Sequence, residues 1–96
     1  MRERRIVRLV GEVIGFGFRD RIVAVARETE VFGFVRRVGA GLEIDVEGRP
    51  GDVSYFLRQI IKKKPPEALV RESTIVPGKA LGRSEFVRAE SLPETP

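Results

Sequence analysis

Apolar and polar residues alternate from Arg4 to Val13: Val7, Leu9, Gly11 and Val13 fall on one face, Arg8 and Glu12 on the other. That two-residue period predicts a half-buried strand, with Ile6 and Val10 blurring its polar side. After the glycine-interrupted stretch Ile14-Gly15-Phe16-Gly17-Phe18-Arg19 the period changes. Phe18, Ile22, Val25 and Ala26 recur at helical spacing, so a first helix should run from Phe18 to about Glu30. Val31 to Val38 reads as a strand, Gly39-Ala40-Gly41 as a hairpin connection, and Leu42 to Glu47 as the next strand. There Leu42, Ile44 and Val46 should face inward, and Glu43, Asp45 and Glu47 outward. Gly48-Arg49-Pro50-Gly51 breaks the run. Val53, Phe56, Leu57, Ile60 and Ile61 then mark one face of a second helix, capped by Asp52 and stopped by Pro65-Pro66. Ala68 to Val76 predicts another strand, Pro77-Gly78 a turn, and Arg83 to Arg88 a short last strand anchored by Phe86.

The order strand, helix, strand, strand, helix, strand, plus a short fifth strand, predicts an α+β fold of the ferredoxin-like, split βαβ type. Two helices should cover one face of a mostly antiparallel sheet. Residues 1–90 read as one domain. Ser91 to Pro96, with two prolines and no apolar pattern beyond Leu92, reads as a frayed tail.

Composition narrows the chemistry. The 96 residues are 42% hydrophobic and 33% charged, enough for one packed core and too short for two domains. No apolar run is long enough to span a bilayer, and the charged start Met1-Arg2-Glu3-Arg4-Arg5 has no apolar stretch behind it as a signal peptide would. A cytoplasmic location is the expectation. Cysteine and histidine are both absent, which removes thiolate chemistry, the commonest general base and the commonest zinc ligand, so no metal site is expected. Asparagine is absent too and Gln59 is the sole glutamine, a depletion resembling that of thermophile proteins. The net charge of +4 is spread among 14 acids. Arg8, Arg36, Arg71 and Arg88 therefore read as an ion-pair network over the open sheet face, against Glu43, Asp45 and Glu72. Lys62-Lys63-Lys64 suits a helix end, where cations offset the dipole.

The stretch Gly15-Phe16-Gly17-Phe18-Arg19 stands between a strand and a helix N-terminus. The first amides of a helix lack partners and carry partial positive charge, and glycines let further amides converge into an anion nest. An arginine there opposes the helix dipole, and a bound anion explains its placement. Leu9 to Arg19, read as a whole, resembles the first motif of the acylphosphatase family, G-x-V-Q-G-V-x-F-R. Gly33-Phe34-Val35-Arg36-Arg37-Val38-Gly39-Ala40-Gly41 is similar to the family's second motif, G-(aromatic)-V-x-N-x-x-x-G. The resemblance covers roughly Ile6 to Ala89.

What it implies is a small cofactor-free enzyme that hydrolyses the carboxyl-phosphate bond. The phosphate-binding arginine would be Arg19, with the cradle made by the amides of Ile14, Gly15, Phe16, Gly17, Phe18 and Arg19. Ile14 replaces the motif glutamine and Phe16 the following valine. Arg37 replaces the asparagine that, in the family, positions the attacking water. An amide donates and accepts, whereas guanidinium only donates. The implied ligand is a phosphate, sulfate or acyl-phosphate anion, bound or hydrolysed with reduced or altered activity. Two other readings stay open: a non-catalytic anion-binding or interaction module, and RNA binding on the open sheet face, the less favoured because an exposed aromatic pair requires Phe32 and Phe34 to face outward. For Arg37 a purely structural role, pairing across the sheet with Glu43, is equally weighted. Tyr55 has no assigned partner, and no oligomeric state follows.

Overall fold

The computed structural model describes residues Met1–Leu92. The elements are β1 (Glu3–Glu12), α1 (Phe18–Glu28), β2 (Phe32–Val38), β3 (Gly41–Gly48), α2 (Pro50–Lys62), β4 (Leu69–Gly78) and β5 (Phe86–Arg88). They form one sheet in the order β4-β1-β3-β2-β5, antiparallel throughout except for the parallel β2–β5 pair. The two helices pack on one face. This is the ferredoxin-like arrangement expected from the element order.

Alternation fixes the core. Val7 and Leu9 of β1, Val35 of β2 and Leu42, Ile44 and Val46 of β3 are buried beneath Ile22, Val25 and Ala26 of α1 and Val53, Phe56 and Ile60 of α2. Phe86 closes the β5 side, its ring centroid 5.6 Å from that of Phe56. Gly33 is required where β2 meets β3: at φ 141° an added Cβ would lie 1.7 Å from the Asp45 carbonyl oxygen.

Several boundaries differ from the periodic reading. α1 ends at Glu28 because Thr29 turns both its amide and its hydroxyl onto the carbonyls of Val25 and Ala26, and Glu30 takes a left-handed φ of 54°. α2 starts a residue pair before Asp52, with Pro50 in its first turn and the Arg49 carbonyl accepting from the Val53 amide; Asp52 is not the cap. Ile61 lies outside the core face, 43% exposed. Ser91 and Leu92, expected to begin a frayed tail, lie along β2: the Leu92 amide donates to the Arg37 carbonyl at 2.8 Å and its carbonyl accepts from the Gly39 amide at 3.0 Å. The remainder of that tail, 93–96, lies outside the described residues.

The largest correction concerns the face away from the helices. Glu43, Asp45 and Glu47 do point there, but Asp45 and Glu47 are buried, at 5% and 0% exposure. The chain between β4 and β5 crosses this face and covers them. Asp45 accepts from Arg4 Nε at 2.9 Å and Nη2 at 2.7 Å, and from Arg83 Nη1. Glu47 accepts from the amides of Leu81 and Arg83 and from Arg2 Nη1 at 3.0 Å. Burial opposes ionisation of Asp45, yet hydrogen bonds from Arg4 and Arg83, and their charges, outweigh it and hold the carboxyl at about 2. Glu47 is shifted down as well, burial being overcome first by the two backbone amides and then by Arg2.

The network of Arg8, Arg36, Arg71 and Arg88 is only partly as expected. Arg36 pairs with Glu43, but Arg71 pairs with Glu12 and Arg88 with Asp20 of α1. Arg8 Nε is buried with no partner among the described residues. Phe32 and Phe34 are on this far face, but Arg2 stacks over Phe32, and Arg36 and Arg83 over Phe34. Among the described residues no helix is long and apolar enough to cross a membrane.

Candidate functional site

The sheet brings one set of strand ends together. β1 runs into the loop before α1, β2 and β3 meet at the Gly39–Ala40 hairpin, and β5 runs parallel to β2 toward the same end, so Arg88 stands beside Val35. The added Cβ of Gly41 would lie 2.8 Å from the Leu9 carbonyl, which sets the hairpin against the end of β1.

Between β1 and α1 three consecutive residues are left-handed: Gly15 at φ 91°, Phe16 at 60° and Gly17 at 73°. This run turns the chain tightly between strand and helix, the kind of turn in which backbone amides gather into an anion-binding concavity. The Phe18 amide closes the turn on the Gly15 carbonyl at 3.2 Å, and the Arg21 amide opens the helix on the Gly17 carbonyl at 3.0 Å. The amides of Ile14, Gly15, Phe16, Gly17 and Arg19 have no protein acceptor among the described residues. Space beside Gly15 and Gly17 is open, since a Cβ on either would meet nothing within 4 Å. Phe16 holds a positive φ with 53% of its surface exposed, so a large side chain bears local strain and buries little in return. Phe18 differs from its neighbours: its ring is buried in the core and its amide is committed.

Arg19 follows on the first turn of α1, half-buried, with Nη1 3.4 Å from Ser91 Oγ. No carboxylate among the described residues lies within ion-pair distance of it. Burial pushes its pKa down, the guanidinium groups of Arg88 and Arg37 push it further, and only Asp20 opposes them. Three guanidinium groups thus gather at this end with Asp20 as the one acid acting on Arg19.

Arg37 shares the helix face with Val35, two residues before it, and so turns toward α1; Arg36 takes the opposite face and holds Glu43 at 2.7 Å. The expected cross-sheet pair of Arg37 with Glu43 is therefore not formed. Arg37 Nε instead donates to the Gly39 carbonyl at 2.7 Å, which holds the guanidinium at the hairpin. Arg88 Nη1 donates to Asp20 Oδ1 at 2.9 Å. Arg88 and Ser91 were absent from the sequence-based site. The parallel β2–β5 pairing that carries them there joins residues some fifty positions apart, and the only prior signal was that Arg88 follows Phe86 by one strand period. A concavity of about 450 Å³ between the end of α1 and β5 lies at the other end of the sheet, with Arg27 set against Glu30 and Glu85, and has no comparable excess of cations. No cluster of three acidic side chains that could hold a metal occurs among the described residues.

A ferredoxin-like sheet, with two helices on one face and a glycine-rich strand-to-helix turn beside an arginine that lacks a carboxylate partner, defines a small α+β domain. The acylphosphatase family model matches residues 5–87, and the chain belongs to that family. It is 31% identical over 77 residues to the acylphosphatase of Methanospirillum hungatei, covering 79% of this chain and 85% of that protein. It is 33% identical over 60 residues, 62% of this chain, to the probable carbamoyltransferase HypF of Methanocaldococcus jannaschii, and spans only 8% of that relative's length. A crystal structure of full-length HypF in the phosphate- and nucleotide-bound form superposes over 97% of this chain and 12% of its own, with a TM-score of 0.92 at 26% identity.

Proposed function

We propose that the chain binds the phosphoryl group of an acyl phosphate in the Ile14–Arg19 loop and hydrolyses its carboxyl-phosphate bond, with activity lowered or altered by Arg37. The observation that carries this reading is the pairing of free amides at Gly15, Phe16, Gly17 and Arg19 with an arginine that has no carboxylate partner. Family membership supports it. Attack of water at phosphorus breaks the bond to the carboxyl oxygen and releases a carboxylate and inorganic phosphate. The leaving carboxylate is a weak base and needs no general acid, which suits a site without histidine. Catalysis is then positioning plus electrostatic stabilisation by amides and Arg19.

The phosphoryl oxygens must take the proton of the attacking water, because Arg37 cannot accept one. That same feature favours a second reading, a phosphate-binding module without turnover. The stacking of arginines on Phe32 and Phe34 argues against bases stacking there, and so against RNA.

The separating experiment compares acyl-phosphate hydrolysis by wild type and Arg37→Asn. Asparagine both donates and accepts, and one positioned hydrogen bond in a transition state is commonly worth ~10²–10³ in rate. The mutant should be faster by about that factor, and Arg19→Ala in the mutant background should remove the gain. A folded, phosphate-binding mutant with no turnover would leave the binding module standing; one that neither binds nor turns over would sink both readings.

A further inference from the structure

We infer that the nucleophile this site takes best is a carboxylate, making the protein a phosphotransferase that moves the phosphoryl group of one acyl phosphate to a second carboxylic acid. The inference rests on the reading that the loop holds the phosphoryl group, and adds the identity of the acceptor.

The side chains that gather at this end are donors. Arg19 and Arg37 have no carboxylate partner among the described residues: Arg19 meets the Ser91 hydroxyl and Arg37 the Gly39 carbonyl, while Arg88 takes one oxygen of the exposed Asp20 carboxylate. Water attacking phosphorus must lose a proton, and Arg37, at the position where the family motif has an amide, offers no lone pair to orient that water. A carboxylate has no proton to lose. It carries its own negative charge, which needs a cation beside it, and Arg37, unlike the Asp20-paired Arg88, has no carboxylate partner among the described residues. Arg37 is built for that role. Its Nε is anchored on the hairpin carbonyl at 2.7 Å, which fixes the plane of the guanidinium and leaves its two terminal nitrogens as a fork matched to a carboxylate. Anchoring at Gly39 also keeps the group beside the nest, leaving the loop amides to the phosphoryl oxygens.

The step balances without a proton. An oxygen of the acceptor carboxylate forms a bond to phosphorus as the bond from phosphorus to the donor carboxyl oxygen breaks, and the donor leaves as a carboxylate. One carboxyl phosphate is consumed and one is made, so the reaction is close to isoenergetic and runs both ways. The cations answer the main obstacle, repulsion between an anionic nucleophile and an anionic phosphoryl group.

The test incubates the full chain with acetyl phosphate and propionate, then adds hydroxylamine and counts propionohydroxamate by mass spectrometry, with released phosphate measured in parallel. Wild type should form propionyl phosphate at least ~10-fold faster than it releases phosphate, the scale of one charge-assisted bidentate contact. Arg37→Asn should reverse that partition, favouring hydrolysis, and Arg37→Met should lose transfer to propionate. The inference fails if wild type hydrolyses acetyl phosphate without forming propionohydroxamate above the protein-free control. It fails equally if the Met variant keeps the wild-type ratio, or if neither product forms. Isothermal titration with inorganic phosphate distinguishes these outcomes from failure of the site itself: absence of phosphate binding that depends on Arg19 overturns the underlying reading as well.

Discussion

Replacing Asp45 with asparagine probes a feature hidden in the sequence, the charge buried on the face away from the helices. Its carboxyl is held at about 2, against the 3.8 of a free aspartate. A depressed folded-state pKa means stabilisation that is present above the unfolded value and lost as pH falls through the folded one. A shift of this size corresponds to roughly 2–3 kcal/mol of stability at neutral pH. Asn keeps one acceptor oxygen but turns an NH₂ toward Arg4 or Arg83, so both lose their charged partner. Breaking fully buried pairs costs about 3–5 kcal/mol. Here the Arg4 and Arg83 side chains are 17% and 23% exposed and reach water, which puts Asp45→Asn at the lower figure of about 2–3 kcal/mol.

Urea denaturation followed by circular dichroism measures this without the ionic screening that guanidinium brings. At pH 7 the mutant should be less stable than wild type by that amount. The gap should hold down to about pH 4 and narrow between there and pH 2, as wild type protonates Asp45 and comes to resemble the mutant. A gap that is the same at pH 7 and pH 2, or a mutant as stable as wild type at pH 7, would refute the argument that the charge of Asp45 is the stabilising element.

Two other outcomes follow from the same geometry, beside the Arg37→Asn rate comparison. Arg19→Ala should weaken inorganic phosphate binding by roughly 1.5–3 kcal/mol in isothermal titration, and sulfate in a crystal should occupy the Ile14–Arg19 loop; binding that ignores the mutation, or sulfate elsewhere with this loop empty, counts against the cradle. Gly33→Ala should lower stability by about 2 kcal/mol or more in thermal melts, because its Cβ meets a backbone oxygen that only a shift of β3 can move; an unchanged melting temperature would contradict that close approach.

The element order was legible because periods of two and 3.6 change sharply along this chain. Leu42, Ile44 and Val46 against Glu43, Asp45 and Glu47 define the faces of β3 without ambiguity. Alternation states which face a residue takes, however, and not what covers that face. Asp45 and Glu47 looked solvent-exposed because the covering segment, Lys79 to Glu85, carries no periodic signal and is itself mostly exposed. The loop was legible for a different reason: glycines between a strand and a helix permit the positive φ that Gly15 and Gly17 adopt, and the stretch resembles the family's first motif. The partners of the arginines were not, since a cation followed by another at Arg36-Arg37 offers two equivalent candidates for Glu43 until Val35 fixes the phase. Phase, read from the buried neighbour, assigns Arg36 to the acid and frees Arg37 for the site.

That assignment bears on chemistry more than on fold. Arg37 sits on an ordinary strand pair, Arg37 with Leu42, and its backbone carbonyl is bonded to Leu92. Its backbone is in regular antiparallel pairing and takes no positive φ, so this position bears no backbone strain. The difference from the motif asparagine lies in hydrogen bonding and in charge: an amide gives the site a neutral donor and acceptor, a guanidinium gives it donors and a positive charge. A site with donors alone can hold and polarise a phosphoryl group as well as before, yet it leaves the nucleophile to supply its own electrons without help in shedding a proton. Rates with water and with an anionic nucleophile, each measured with arginine and with asparagine at position 37, therefore separate the two: an acceptor speeds attack by water, and a cation speeds attack by an anion.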